Sequence, residues 1–329
     1  MSIQDTQDTS AYAGPAPIGT ALLFLAAIGV GSALGISLPE TTEQFSRGID
    51  ATLLTLIFLL FFELRLSSVF RAFSNLRFLT LAWVANFLFV PAIALALASI
   101  FLGGQPLLFT GVMIYLLAPC TDWFLGFTRM AKGDTELGAA LIPINLITQL
   151  FAFPLWLWLF TPHSGLVDLD MIPGALAQWF LVPLLAAQVL RFAAKRLLPD
   201  AMFGGLMNIS GIALPAVIAL LIMQLFASNV GIIADQIQVF TFVALTIVTF
   251  FAAILFACEA LARIGRLSYG QRALLSMTMT ARNAPMMLAL TAVAVPDQPV
   301  ILAVIIFGML IEFPHLTAVK HLLLRSRAA

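Results

Sequence analysis

Between Leu116 and Phe127 the chain reads Leu-Leu-Ala-Pro-Cys-Thr-Asp-Trp-Phe-Leu-Gly-Phe, at a point where an apolar run long enough to cross a bilayer ought to continue. Pro119 removes a backbone donor, Cys120 and Thr121 add polarisable and hydrogen-bonding atoms, and Asp122 adds a carboxylate near the middle of the run. A break of this kind strands carbonyls and N–H groups that hydrocarbon cannot satisfy. It survives only under a cover of protein or around a small aqueous cavity. A charge at that depth costs about 3 kcal/mol unless it is paired. Both costs falling on one stretch mark it as a binding site. A thiol at a helix break is an accessible soft ligand, and the N-terminus of the half-helix that follows favours its thiolate. Cys258 lies in an unbroken apolar run and reads as a small core hydrophobe.

A second break, Thr280-Ala281-Arg282-Asn283-Ala284-Pro285, interrupts a later apolar run. Asp122 follows Pro119 by three residues and Arg282 precedes Pro285 by three, so crossed breaks would bring the two charges within reach of each other. Two readings stay open for that pair: a static ion pair, or partners exchanged as a proton, a cation or a substrate arrives. Asn145 and Gln149, four residues apart, present two amides on one helical face. Such amides either line a cavity or join helices. Asn283 lies within the second break. Glu312, just before Pro314, is a carboxylate well inside an apolar segment and a candidate proton carrier. Asn86 and Gln224 are fainter cases of the same argument. The candidates are therefore Cys120, Thr121, Asn145, Gln149 and Asn283 for substrate, Asp122, Arg282 and Glu312 for a coupling ion, and Pro119 and Pro285 for the breaks.

The elements that must position these residues are membrane helices. Hydrophobic residues make up 61% of the chain, charged residues 10%, and the mean hydropathy is +1.05, which excludes an ordinary soluble domain. At about 20 apolar residues per span, ten segments qualify, near 17–38, 50–70, 77–102, 106–132, 137–160, 172–195, 205–227, 237–262, 270–295 and 298–324. Residues 1–16 are polar without Lys or Arg and read as a disordered cytoplasmic tail ahead of a retained first helix. Fourteen of the 16 Lys and Arg fall on the side of the membrane that holds both termini, against Arg47 alone on the other, so both termini are expected in the cytoplasm of a multi-pass plasma (inner) membrane protein. Leu108, Met113, Ala118 and Pro119 recur 166 residues later as Leu274, Met279, Ala284 and Pro285, and Phe153-Pro154 is answered by Phe313-Pro314. Two five-helix halves with matching breaks must be inverted relative to one another, the arrangement of secondary transporters with a site between broken helices.

The zero formal net charge gives no basic surface for nucleic acid, and nothing in the pattern calls for a metal or another cofactor. No His-Glu-x-x-His, Gly-x-Ser-x-Gly elbow or catalytic aspartate pair points to an enzyme.

In Ala118-Pro119-Cys120-Thr121, Ala131-Lys132-Gly133-Asp134, Thr280-Ala281-Arg282-Asn283 and Glu312-Phe313-Pro314 the chain resembles the arsenical-resistance (arsenite efflux) permeases, within the bile acid, arsenite and riboflavin transporter superfamily. The resemblance runs from residue 17 onward. It implies an all-α fold of ten transmembrane helices as two inverted five-helix repeats, with helices four and nine broken and crossing. Panel helices are expected near 17–70 and 172–227, and a core near 77–160 and 237–324. It also implies arsenite export against a proton gradient with Cys120 as the essential thiol. An acid that those permeases carry shortly after Arg-Asn in the ninth helix is replaced here by Ala284, Pro285, Met286 and Met287, which leaves two readings: the coupling role has moved to Asp122 or Glu312, or the substrate differs. Trivalent arsenic is thiophilic, and one sulfur gives selectivity over phosphate-like anions while binding stays weak enough for release. The alternative is sodium-coupled symport of an organic anion, with Asn145, Gln149 and Asn283 supplying oxygens to sodium.

Overall fold

The computed structural model describes residues 17–38, 40, 42–63, 75–121, 123–160, 181–235, 238 and 240–328. The expected tail over 1–16, Asp122 and residues 161–180 lie outside that set. Every described secondary-structure element is a helix, and no strand forms among the described residues.

Helices α1 (Pro17–Ser37), α2 (Thr42–Glu63) and α3 (Leu76–Leu102) come first. Next, α4 (Pro106–Leu117) and α5 (Phe124–Met130) divide the fourth expected span between them, and α6 (Thr135–Phe160) follows. Then come α7 (Val182–Leu197), α8 (Asp200–Asp235) and α9 (Phe240–Ile264). The ninth expected span is divided into α10 (Tyr269–Thr280) and α11 (Ala284–Ala294), and α12 (Pro299–Ala328) closes the fold. Among the described residues, seven of these helices are long and apolar enough to cross a membrane: α1, α2, α3, α6, α8, α9 and α12. The chain is thus a multi-pass helical membrane protein.

Local chemistry sets the ends. Asn75 Oδ1 accepts from the Phe78 amide and caps α3, Asp134 Oδ1 accepts from the Leu137 amide at the start of α6, and Ser268 with Gln271 forms a capping box on α10. The helices before the turns at Lys132 and Arg266 end alike: Gly133 N bonds Thr128 O and Leu267 N bonds Ala262 O, with Lys132 (φ 59°) and Arg266 (φ 49°) in the left-handed conformation. Within α3, Pro91 has no N–H to offer Phe87, and the helix opens into a π turn over Ala85–Phe89 in which Val90 N reaches back to Ala85 O. That turn carries the buried Asn86. Helix α8 outruns its expected 205–227 and kinks at Asn229 (φ −133°, ψ 16°), whose side-chain amide donates to Leu225 O at 3.0 Å.

Helices α1, α2, α7 and α8 pack on one another, and α3–α6 pack with α9–α12. The α1–α8 seam is closed by small residues. A Cβ at Gly31 would run into the Met223 carbonyl, and one at Gly35 into the Ala227 carbonyl and the Val230 side chain, whereas one at Gly29 would meet nothing within 4 Å. Gly31→Ala should therefore destabilise the protein by about 1–3 kcal/mol through overpacking against backbone. Gly29→Ala should be neutral or gain up to about 1 kcal/mol of helix propensity. Thermal unfolding of the two variants in matched detergent checks this, and equal midpoints would mean that the seam is slack.

Candidate functional site

The two breaks meet. Cys120 N donates to Ala281 O at 3.0 Å and Asn283 N donates to Ala118 O at 2.9 Å, an antiparallel bridge centred on Pro119 and Arg282. Side chains tie the same strands: Asn283 Nδ2 donates to Thr121 Oγ1 at 3.0 Å, and Asn283 Oδ1 caps α11 by accepting from the Met286 amide. Cys120, Arg282 and Asn283 are fully buried and Thr121 nearly so. Pro285 does not make the second break. It sits in the first turn of α11, where a missing N–H costs nothing, and the break lies upstream at Ala281–Asn283. The register is accordingly Pro119 against Arg282, which differs from the 166-residue offset that the two Ala-Pro pairs suggest.

Arg282 occupies the centre of the crossing. Its guanidinium donates to Leu116 O (2.8 Å) at the C-terminus of α4, and to Thr278 O (3.1 Å), Thr280 O (3.2 Å) and Met279 O at the C-terminus of α10. The last carbonyls of both half-helices, which hydrocarbon would leave bare, are thus capped by one cation placed at two negative dipole ends. Phe250 lies 5.9 Å from the guanidinium carbon and closes one side. Asp122, expected as the counter-charge, lies outside the described residues.

Glu312 on α12 collects what remains. Its Oε1 accepts from the Arg282 backbone amide (2.9 Å) and from Trp123 Nε1 (2.8 Å), and its Oε2 lies 2.9 Å from the Tyr115 hydroxyl. That hydroxyl also lies 2.9 Å from Gly308 O, so one phenolic proton faces two acceptors. Gly308 is obligatory here, because any Cβ would strike the Tyr115 ring. Glu312 and Arg282 are both fully buried, yet among the described residues no direct ion pair joins them.

Next to the crossing lies a third group. Asn86 Nδ2 (3.0 Å) and Asn145 Nδ2 (3.4 Å) both donate to Thr278 Oγ1, bringing α3, α6 and α10 together. Gln149 is fully buried one turn beyond Asn145 on α6. Sequence reading ranked Asn86 below Asn145 and Gln149, and did not single out Tyr115, Trp123, Thr278 or Gly308. The Pro91 that opens the π turn was the signal for Asn86; the others carry no mark in the pattern. Cys258 makes its contacts away from the bridge, with Met279 Sδ at 3.3 Å. The Trp156 ring stacks on Phe87 (6.1 Å, 14°), which makes it packing.

Two severed helices that exchange backbone bonds deep in a helical membrane protein are the arrangement found in secondary transporters. Residues 51–257 match the Sodium Bile acid symporter family, and the chain belongs to that family. Over 282 residues it is 26% identical to the arsenical-resistance protein Acr3 of Corynebacterium glutamicum, covering 82% of this chain and 72% of that protein.

The bonds at Glu312 separate its shape from its charge. Glu312→Leu leaves the Trp123 and Arg282 N–H groups without an acceptor and should cost about 3 kcal/mol or more. Glu312→Gln keeps a carbonyl for those two donors and an amide for the Tyr115 oxygen, and should stay within about 1 kcal/mol of the native protein. Unfolding midpoints in detergent read both, and an unaffected Leu variant would show that the carboxylate holds nothing together.

Proposed function

We propose that this chain is a secondary active transporter that exports arsenite, or a related trivalent metalloid species, in exchange for protons across the plasma (inner) membrane, with both termini cytoplasmic. The observation that carries the reading is the position of Cys120: its backbone is one half of the bridge that joins the two breaks. The likeness to the Acr3 protein points the same way. Arsenite binds there by exchange: the S–H bond of Cys120 breaks, its proton leaves with one hydroxide of the trihydroxide as water, and an As–S bond replaces an As–O bond; release adds the water back across As–S. Thr121, Asn145, Gln149 and Asn283 line the path.

The ten-span, inverted-repeat arrangement is part of the same proposal. In its favour, α4 and α10 have twelve residues each, and the two bridge bonds exchange under a two-fold axis through Pro119 and Arg282. The packing of α1, α2, α7 and α8 mainly among themselves, with slimmer contacts to α11 and α12, supports a panel against which a core moves. Among the coupling candidates, Asp122 keeps its place from the sequence and Arg282 is engaged by carbonyls of the frame. Glu312 carries the proton: a proton on its Oε2 donates to the Tyr115 oxygen, the Tyr115 proton goes to Gly308 O, and the conflict between two acceptors disappears.

Sodium-coupled symport of an organic anion is the second reading, favoured by the family's description and by the buried amide oxygens near the crossing. Everted membrane vesicles energised with a proton gradient decide between them. Arsenite should accumulate in sodium-free buffer. Cys120→Ser should lower that uptake at least about tenfold, which corresponds to about 1.4 kcal/mol. Glu312→Gln, though folded, should abolish accumulation driven by the gradient. Uptake that requires sodium, or equal uptake by the native and Cys120→Ser proteins, would overturn the assignment.

A further inference from the structure

The polar group around Thr278 is built differently from the rest of the crossing. Asn86 Oδ1, Asn145 Oδ1, Gln149 Oε1 and Nε2, and Thr280 Oγ1 are all buried and have no hydrogen-bond partner among the described residues. Buried polar atoms are ordinarily paired, and an unpaired one is costly. Thr278 cannot relieve them by a turn of the amides, since its hydroxyl has one proton. At least one of the two asparagines must donate to it and keep a bare carbonyl. The π turn forced by Pro91 places one of these acceptors on α3, the i,i+4 pair places two more on α6, and Thr280 adds a hydroxyl immediately before the bridge residue Ala281.

We propose that Asn86, Asn145, Gln149 and Thr280 are the hydroxyl-binding half of the transport site, and that the species they take is the neutral trihydroxide of a trivalent metalloid and not its anion. The inference rests on the arsenite reading and names the form of the cargo. These side chains offer carbonyl and hydroxyl oxygens to O–H donors and bring no positive charge. The cation beside them, Arg282, already commits four of its five N–H groups to backbone carbonyls. An anion would find only the Gln149 amide and the Thr280 hydroxyl as unpaired donors, beside three bare amide oxygens that repel it, whereas a neutral trihydroxide can donate to those oxygens and accept from the two donors. The thiol of Cys120 is then free of any need to supply charge complementarity and contributes softness alone.

Equilibrium binding of arsenite to the full chain in detergent, with no ion gradient, tests this. Affinity should fall in step with the neutral fraction as the pH is raised through the ionisation of arsenous acid. Asn86→Leu and Asn145→Leu should each weaken binding at neutral pH by about tenfold. Neither should lower the unfolding midpoint of the ligand-free protein by more than the native amide's single donated bond explains, because each also removes an unpaired acceptor. Affinity that holds or rises as the anion forms would overturn the proposal. So would native-like binding by both Leu variants, or a sodium-dependent rise in the unfolding midpoint that Asn86→Leu abolishes, since the acceptors would then serve a cation. The first two results leave the arsenite assignment standing, and the third favours the sodium-coupled reading in its place. Absence of arsenite binding by the native protein at neutral pH would remove the assignment and this inference together.

Discussion

The structure depends on how Arg282 spends its donors. Two helices end in the middle of a membrane protein, and each end exposes carbonyls that have neither water nor a next turn to accept from. Each carbonyl left bare would cost about 1–3 kcal/mol, so the four that Arg282 binds represent enough energy to forbid the break. A guanidinium suits this duty better than an ammonium: it is planar, stays charged, and its fork spans acceptors on both half-helices at once. The backbone bridge through Cys120 and Asn283 then fixes the register of the crossing. Among the described residues the Arg282 guanidinium serves as a cap shared by α4 and α10.

Glu312 extends that constraint to a third element. By accepting from the Arg282 amide, Trp123 and Tyr115, it fastens α12 to both sides of the crossing, and Gly308 lets the Tyr115 ring lie flat on the same helix. The polar atoms at the breaks and the long α12 therefore move as one body, if they move. The contacts of α12 with α1 and α8, and of α11 with α2, are slimmer, and among the described residues they include the Phe24–Phe313 ring contact. A transport cycle that slides one group of helices past the other would break apolar contacts, which re-form at little cost, and leave the hydrogen-bonded centre intact.

Much of this was legible in the sequence, and the reason is local. Proline, a lone thiol and charges inside apolar runs are conspicuous because hydrocarbon tolerates none of them without compensation. The positions of Cys120, Arg282, Asn283 and Glu312 could thus be read directly, as could nearly all the helices. The register could not. Ala118-Pro119 and Ala284-Pro285 look equivalent as strings, but Pro119 ends up in the bridge while Pro285 merely opens α11, because a proline at a helix start and one inside a break have the same local signature. Nor could the partners of Arg282 be read, since backbone carbonyls bear no residue name. Tyr115, Trp123 and Gly308 escaped for a similar reason: each is ordinary in an apolar helix, and only the fold brings it to Glu312.

The crossing holds two kinds of polar atom, and their separation bears on how a site can be both firm and releasable. Arg282, Glu312, Asn283 and the bridge amides have partners within the protein, so their bonds contribute whether or not cargo is present. The amides on α3 and α6 hold acceptors in reserve. If they take the cargo as proposed, the bonds they make exist only while it is bound, and occupancy stabilises the fold by the amount those few bonds are worth. A frame that was itself unsatisfied would collapse onto itself or bind too tightly to let go. A frame already complete, beside a small unsatisfied patch, limits the binding energy to a handful of hydrogen bonds and one sulfur contact, which is the moderate affinity that turnover requires.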